Sequence, residues 1–327
     1  MKIAIVYDHL AEGAGPDQAD TLVQADSVSH ALERLGHVPR RFPFSTDLKT
    51  LVYGLKEWAP ELVFNLVESV EGAGRLIHFS PSILDFLGMP YTGSPTDAIY
   101  TTSNKLLSKK ILRSAGIPTP EFLTLEQDRQ CENLCGEPYI IKSVWEHASL
   151  GMDHTSVIAG KELRSIFHEM MRQRQKPNGE SFAERYIEGR EFNLSLLASR
   201  EGTEILPPAE IRFHDYPEGK WKILDYKAKW DPASFEYHHT RRSFEFPESD
   251  QPLLFRLGDL ARKCWDLFGL RGYARVDFRV DRDSMPWVLE INANPCLSPD
   301  AGFAAAARQQ GLDFNQVVER IICAVSN

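Results

Sequence analysis

The chain opens on an unbroken apolar run, Ile3 to Val6 between Lys2 and Tyr7, the pattern of a strand buried on both faces. A glycine-containing loop follows at 12–16. Apolar positions then recur with helical spacing over about 22–35, and Gly36 is placed to cap the helix C-terminus. A strand over 37–42, a helix over 47–58 and a strand over 62–66 continue the alternation. Alternating strands and helices predict a parallel sheet with helices packed on it. Ligands of such sheets bind beyond the strand C-termini, so residues 8–17 and 68–75 are expected at the ligand edge.

From residue 101 the pattern changes. Thr101 to Lys105 reads as a helix start, with an amphipathic helix to Ala115 that Gly116 and Pro118 end. Short strands at 121–124, 138–143 and 155–158, a helix at 161–174 and a strand at 182–186 predict a small α+β unit. The remainder predicts strands near 191–198, 207–212 and 222–228, then a polar and aromatic stretch over 231–246. A helix over 251–268, two long strands at 272–280 and 286–292, and a final helical region complete the chain.

At 327 residues the chain exceeds one small core, and 43% hydrophobic with 25% charged residues is ordinary globular composition. The first apolar stretch reaches Asp8 at once, too short for a signal peptide, and no run approaches a membrane span; a soluble cytoplasmic protein is expected. Acidic residues outnumber basic ones, 46 to 37, for a net charge of −9, which argues against a nucleic-acid partner. Five irregularly spaced cysteines argue against a disulfide framework. Cys131 and Cys135 would share a helix face but lack nearby His or Cys partners for zinc.

Three stretches carry candidate chemistry. In the hairpin 272–292, pairing Val280 with Trp287 puts Asp277 opposite Glu290 and Arg275 opposite Asn292. Facing carboxylates repel, and a divalent cation between Asp277, Glu290 and Asn292 would remove the conflict; a solvated face with charges paired to Arg275 is the alternative. Lys142 ends an apolar strand and precedes a loop carrying Ser149 and Gly151, a placement suited to phosphate or, equally, to a surface lysine. Lys105 has the same ambiguity. At 184–191 a strand enters a sharp turn at Glu188 and Gly189, exposing backbone groups at 185–187 to an adenine edge, with Glu191 able to accept from ribose; a plain hairpin is the alternative.

Taken in order, these features resemble the ATP-grasp fold and, within it, the D-alanine–D-alanine ligase family. The matching strings include Gly88 to Gly93, Ser103 to Lys105, Ala115 to Pro118, Glu188 to Glu191, Tyr226 to Lys229, Ala274 to Asp277 and Leu289 to Pro295. The resemblance covers nearly the whole chain and implies three domains: an N-terminal α/β substrate domain at 1–100, a central ATP-grasp domain at 101–187 and a C-terminal catalytic domain at 188–327. It implies ATP bound by Lys105 and Lys142, by the hinge Glu184, Arg185, Tyr186 and Ile187, and by Glu191. It also implies two Mg²⁺ ions, with Mn²⁺ able to substitute, on Asp277, Glu290 and Asn292. Lys229 would neutralise the γ-phosphate and Arg275 a tetrahedral oxyanion. A loop over 231–246 would close the site, and a homodimer through the first domain is implied.

The departures from the family pattern fall where amino-acid substrates bind. Ala148 precedes Ser149 where the family has two serines, and Trp230 follows Lys229 where it has tyrosine. Cys296 stands in the loop after the metal strand. Ala301, followed by Gly302, takes the place of the serine that holds the second substrate's carboxylate. Asp17 falls near the family's amino-binding glutamate, and Glu68 or Glu71 would share that role. Small-molecule substrates are expected. Three readings follow: an ADP-forming ligase of the same acyl-phosphate chemistry with another substrate pair, a D-alanine–D-alanine ligase of cell-wall precursor synthesis, or an ATP-binding module without ligation. A dinucleotide site at Gly13 and Gly15 lacks the G-x-G-x-x-G spacing.

Overall fold

The computed structural model describes residues 1–10, 13–127, 136–146, 149, 151–159, 163–175 and 179–325. Cys131, Cys135 and Ala148 lie outside the described residues. No helix among the described residues is long and apolar enough to cross a membrane.

Among the described residues three sheets carry the fold. The first is parallel, in the order Val38–Phe44, Lys2–Asp8, Leu62–Asn65. Its central strand is buried from Ile3 to Val6, as an apolar run demands. The helix that follows runs Pro16–Arg34, six residues earlier than periodicity suggests at 22. Pro16 explains the start: its fixed φ and missing N–H suit the first helical position. The second sheet is antiparallel, ordered Phe122–Leu123, Ser181–Arg185, Tyr139–Ser143, Val157–Ile158, and backed by the helix Leu163–Arg174 through Ile166, Phe167 and Met170.

The third sheet has six strands. Thr240–Ser243, Ala209–Phe213, Arg190–Ser199, Tyr273–Val280 and Pro286–Asn292 lie side by side, and Gly202–Ile205, which the sequence pattern missed, pairs with Arg190–Ser199. The helix Gln251–Leu267 buries Leu253, Leu257, Ala261 and Cys264 against this sheet. The last helices, Gly302–Gln309 and Phe314–Cys323, share one core with Ile3, Ile5 and the first helix, so the chain's two ends pack together. Arg271 also ties the sheets, donating to Gly93 O (2.9 Å) and Tyr91 O (3.1 Å).

Three local expectations are corrected. The stretch 222–228 is no strand: the Asp225 side chain accepts from Ala228 N and starts the short helix Tyr226–Trp230. The segment 101–104 does not begin a helix but ends Thr96–Ser103; Asn104 then caps Lys105–Ser114 through the Leu107 amide (2.9 Å). At 155–158 a 3-10 turn, His154–Ser156, takes the first positions and leaves a two-residue strand.

The hairpin shows a subtler difference. Val280 pairs with Pro286, not Trp287, yet Asp277 still faces Glu290 and Arg275 still faces Asn292. A register shift between Asp277 and Phe278 adds the missing residue.

Gly189, at φ +150°, lets the turn after Arg185 pass against the far end of this hairpin; a Cβ there would stand 2.0 Å from Val280 O. Because the clash is with backbone, Gly189→Ala is expected to destabilise the fold by on the order of 2 kcal/mol. Urea unfolding of the two proteins side by side checks this.

Candidate active site

The second and third sheets face each other across one cavity. It is lined by Lys105, Lys142, Ser149, Glu184 to Ile187, Glu191, Lys229, Asp277 and Glu290. Residues from five separated stretches of sequence therefore meet. Strand alternation explains the pairs: Lys142 lies two residues beyond Ile140, which pairs with Glu184, and Asp277 and Glu290 share one face of the hairpin.

Asp277 is tightly held. Arg275 donates to both its oxygens, Nε at 2.7 Å and Nη2 at 2.8 Å, Asn193 Nδ2 donates at 2.8 Å, and Asn292 Nδ2 at 3.3 Å. Burial works against the Arg275 charge, but Asp277 more than offsets it and raises the guanidinium pKa. Lys105 Nζ lies 3.7 Å from Glu290. Protein cations thus supply part of the relief between the facing carboxylates. Among the described residues no three His, Cys, Asp or Glu side chains are grouped to hold a metal ion; the candidate set is two carboxylates and the carboxamide of Asn292.

The lysines sit deep. Lys105 is buried, donates to Glu146 O (2.7 Å), and has its pKa lowered by burial and by Lys142. Lys142 donates to Glu184 Oε1 (2.5 Å). Lys109, which sequence reading missed, contacts the other Glu184 oxygen and donates to Thr119 Oγ1 (2.8 Å). The available signal was its position four residues after Lys105, on the same helix face. The Glu184 side chain therefore turns into a lysine pair. The N–H groups of Arg185 and Tyr186 extend the sheet, donating to Glu121 O and Pro138 O (2.8 Å each). Glu191, its pKa raised by burial, pairs with Arg279 at 3.1 Å.

Above the cavity, Lys229 has its pKa lowered by burial and by Arg275. Ser149, at φ +61°, donates to Leu224 O (2.7 Å), and Tyr226 N donates to Met152 O (3.3 Å), so the loop and the helix Tyr226–Trp230 interlock. The Trp230 indole N–H is buried and donates to no acceptor among the described residues.

Asp17, Glu68, Glu71, Trp230, Cys296, Ala301 and Gly302 do not line this cavity. Asp17 accepts from the Tyr226 hydroxyl (2.9 Å), a bond from the first helix to the segment above the site. Glu68 accepts from Gln24 (2.8 Å); burial, reinforced by Asp8 and Asp20, pushes its carboxyl up to about 8 against the pull of Gln24 and Arg275. Asp8 is pushed up to about 6 by burial, although Ser69 and the amides of residues 68 and 69 bond it. Glu71 is exposed and accepts from the Thr46 amide (3.4 Å). The Cys296 thiol donates to Asp20 (3.0 Å), and burial with Glu68 and Asp20 pushes it well up, which suits an inert thiol. Ala301 precedes the helix Gly302–Gln309 without a side-chain cap, and a Cβ on Gly302 would stand 3.6 Å from the Arg242 guanidinium. Asn294, also missed, joins Tyr273 OH (2.6 Å) to Val67 O (2.9 Å) and seats the loop after the metal-candidate strand.

Comparison with known proteins places this arrangement. A family model described as D-ala D-ala ligase C-terminus matches residues 111–323. The D-alanine–D-alanine ligase of Moorella thermoacetica is 30% identical, with 98% of each chain covered. The crystal structure of D-alanine–D-alanine ligase from Bacillus anthracis complexed with ATP gives a TM-score of 0.75 at 18% identity, covering 100% of this chain and 97% of that one. VanG, a D-Ala:D-Ser ligase from Enterococcus faecalis, gives 0.72 at 16% identity, covering 99% of each. With the fold shared from end to end and the family model matched over most of its length, this chain belongs to the D-alanine–D-alanine ligase family of the ATP-grasp fold, whose members are ATP-dependent, ADP-forming ligases.

Proposed function

We infer that the chain joins the carboxylate of one amino acid or peptide to the amine of another, with a substrate pair other than two D-alanines. The observation carrying this reading is that Lys105, Lys142 and Lys229 converge on the cavity that also holds Asp277 and Glu290, while the departures at Trp230, Cys296, Ala301 and Gly302 lie outside it. Three buried or half-buried ammoniums in one cavity call for a polyanion. ATP fits: Lys105 and Lys142 take its phosphates, Ile187 and the hinge carbonyls read adenine, and Glu191 takes the ribose. Asp277, Glu290 and Asn292 are hard oxygen donors and fit Mg²⁺, which would neutralise phosphate charge there.

The donor carboxylate oxygen attacks the γ-phosphorus as the bond to the β–γ bridging oxygen breaks, releasing ADP. The second substrate's amine then attacks the acyl carbon, Arg275 faces the oxyanion, and phosphate leaves as the amine gives up its proton. Phosphoryl transfer of this kind rests on positioning and charge neutralisation. Ser149 and the segment over Tyr226–Trp230 exclude water from the reactive acyl phosphate. Asp17 and Glu68 are the acceptors for the donor's ammonium.

Altered selectivity rests on three residues. Trp230 replaces a phenol with a donor-only indole. Ala301 lacks the hydroxyl that would bond an acceptor carboxylate, and Gly302 leaves room beside Arg242. A site built around a hydroxyl does not discard it and keep the same ligand at the same affinity. The decisive experiment measures ADP release with Mg²⁺-ATP against D- and L-amino acids, alone and paired, with mass detection of products. A condensed product from a pair other than two D-alanines is expected. D-alanyl-D-alanine formed more efficiently than every other product would overturn the altered selectivity, and tight ATP binding without ADP release for any pair would favour a binding module.

Three variants extend the test. Glu290→Gln should lower Mg²⁺-supported turnover at least about tenfold while ATP still binds, read by Mg²⁺ titration of the rate. Trp230→Tyr with Ala301→Ser should raise D-alanine use; unchanged kcat/KM for D-alanine would clear these positions of selectivity. Glu68 is largely protonated below about 8, and only its ionised form attracts an ammonium. The donor's KM should therefore fall as pH rises toward about 8, and Glu68→Gln should flatten that profile.

A further inference from the structure

Among the described residues Lys109 is the most deeply buried ammonium, and it has no part in the chemistry above. Its side chain is 1% exposed, as is that of Glu184, which it contacts. It projects from the helix Lys105–Ser114 one turn beyond Lys105, behind the strand Ser181–Arg185. Its Nζ also donates to Thr119 Oγ1 (2.8 Å), whose hydroxyl in turn donates to Val288 O (2.8 Å). Val288 lies two residues before Glu290 on the same strand. On the far side of Glu184, Lys142 Nζ donates to Oε1 at 2.5 Å. One carboxylate is thus shared by two ammoniums, one sealed in the core and one facing the cavity.

The geometry points to Lys109 as a positioning residue that frees Lys142 for the nucleotide phosphates, a role that rests on the reading of Lys142 as a phosphate ligand. A carboxylate with a single lysine makes a neutral pair, and a phosphate must then compete with it for that lysine. Turning Lys142 to phosphate would also strand a buried carboxylate, which is strongly unfavourable. With Lys109 in place neither difficulty arises. Glu184 stays paired whichever way Lys142 points, and the triad keeps one net positive charge toward the cavity. The charge states agree. Burial opposes the Glu184 charge, but Lys109 and Lys142 together overcome it and lower its pKa, while burial pushes Lys109 down only to about 8, so that it is still largely charged at neutral pH. The bond through Thr119 fixes Lys109 against the strand of Glu290, so the counter-ion of the hinge strand is anchored on the strand opposite.

The test is a mutant cycle read by Mg²⁺-ADP affinity in calorimetry, with KM for ATP and kcat measured separately. Lys109→Met should weaken Mg²⁺-ADP binding about tenfold, equivalent to ~1.4 kcal/mol, and raise KM for ATP more than it lowers kcat. Lys109→Arg should bind within about threefold of the parent. Adding Glu184→Gln to Lys109→Met removes the carboxylate that captures Lys142 and should restore affinity, a rescue that a purely structural lysine would not allow. Should Lys109→Met fail to fold, Glu184→Gln is compared with the double variant, in which both buried charges are gone. Equal affinities support the proposal, and a tenfold loss from adding Lys109→Met to Glu184→Gln overturns it. Lys142→Met separates the two layers: unchanged Mg²⁺-ADP affinity there sinks the phosphate assignment itself, whereas weakened affinity there with a normal Lys109→Met sinks only the role of Lys109.

Discussion

Asp277 and Glu290 face each other across adjacent strands, and two like charges at that spacing need counter-charge close by. The rest of the cleft is arranged around that need. Arg275 chelates Asp277, Asn193 and Asn292 add donors, and Lys105 lies 3.7 Å from Glu290. The facing itself depends on the register shift between Asp277 and Phe278. Without that extra residue, every position from Glu290 onward would turn to the opposite face of the sheet, since side chains alternate with period two. A local backbone irregularity thus decides whether the carboxylate pair exists, and the pair decides where cations must be.

The cations continue the pattern into the cavity between the second and third sheets. Lys105, Lys142 and Lys229 line it, and the first and third are pushed toward neutrality by burial. Carboxylates already present offset part of that cost: Glu290 for Lys105, and Glu290, Asp277 and Glu191 for Lys229. A polyphosphate would offset the remainder. The segment over Tyr226–Trp230 is held by hydrogen bonds, not ion pairs. The Tyr226 hydroxyl donates to the Asp17 carboxylate and Ser149 donates to Leu224 O, which ties the short helix to the first helix and its own flank to Ser149. Under the proposed function, an ammonium arriving at Asp17 would share that carboxylate with the phenol, which would couple occupancy there to the position of the helix Tyr226–Trp230.

The sequence pattern made some of this legible and hid the rest for identifiable reasons. Alternation placed Arg275 with Asp277 and Glu290 with Asn292, because period two survives whatever the strand's partners do. The facing of Asp277 and Glu290 was reached from a Val280–Trp287 pairing that the structure replaces with Val280–Pro286; the bulge made up the difference. A bulge of ordinary residues leaves no mark in composition. The run 222–228 offers Ile223, Leu224 and Tyr226 to a strand reading, but the Asp225 cap and the Lys-Ala-Lys sequence after Tyr226 favour a helical turn. Lys109 escaped notice because a lysine on an amphipathic helix ordinarily faces water, and only the tertiary partner Glu184 reveals that it does not.

Under the proposed function, the amino-acid side of the site carries the departures from the family pattern. Lys105, Lys142 and the carboxylate pair sit on a helix and on strands whose positions are fixed by deep packing. The divergent residues sit on their margins: Trp230 at the end of a five-residue helix, Ala301 just before another helix, Gly302 beside Arg242. Margins can change without disturbing the register that holds the charges. Loss of the hydroxyl at Ala301 removes a short, neutral donor, while the guanidinium of Arg242, held by Asp300 O at 3.5 Å and pushed down by burial and by Arg275 and Arg308, offers a longer and charged one. An acceptor that meets Arg242 still presents an anion but must reach further than one that meets a serine. On the proposed reading, the substitutions would alter the reach and shape of the acceptor far more than the sign of the charge it carries.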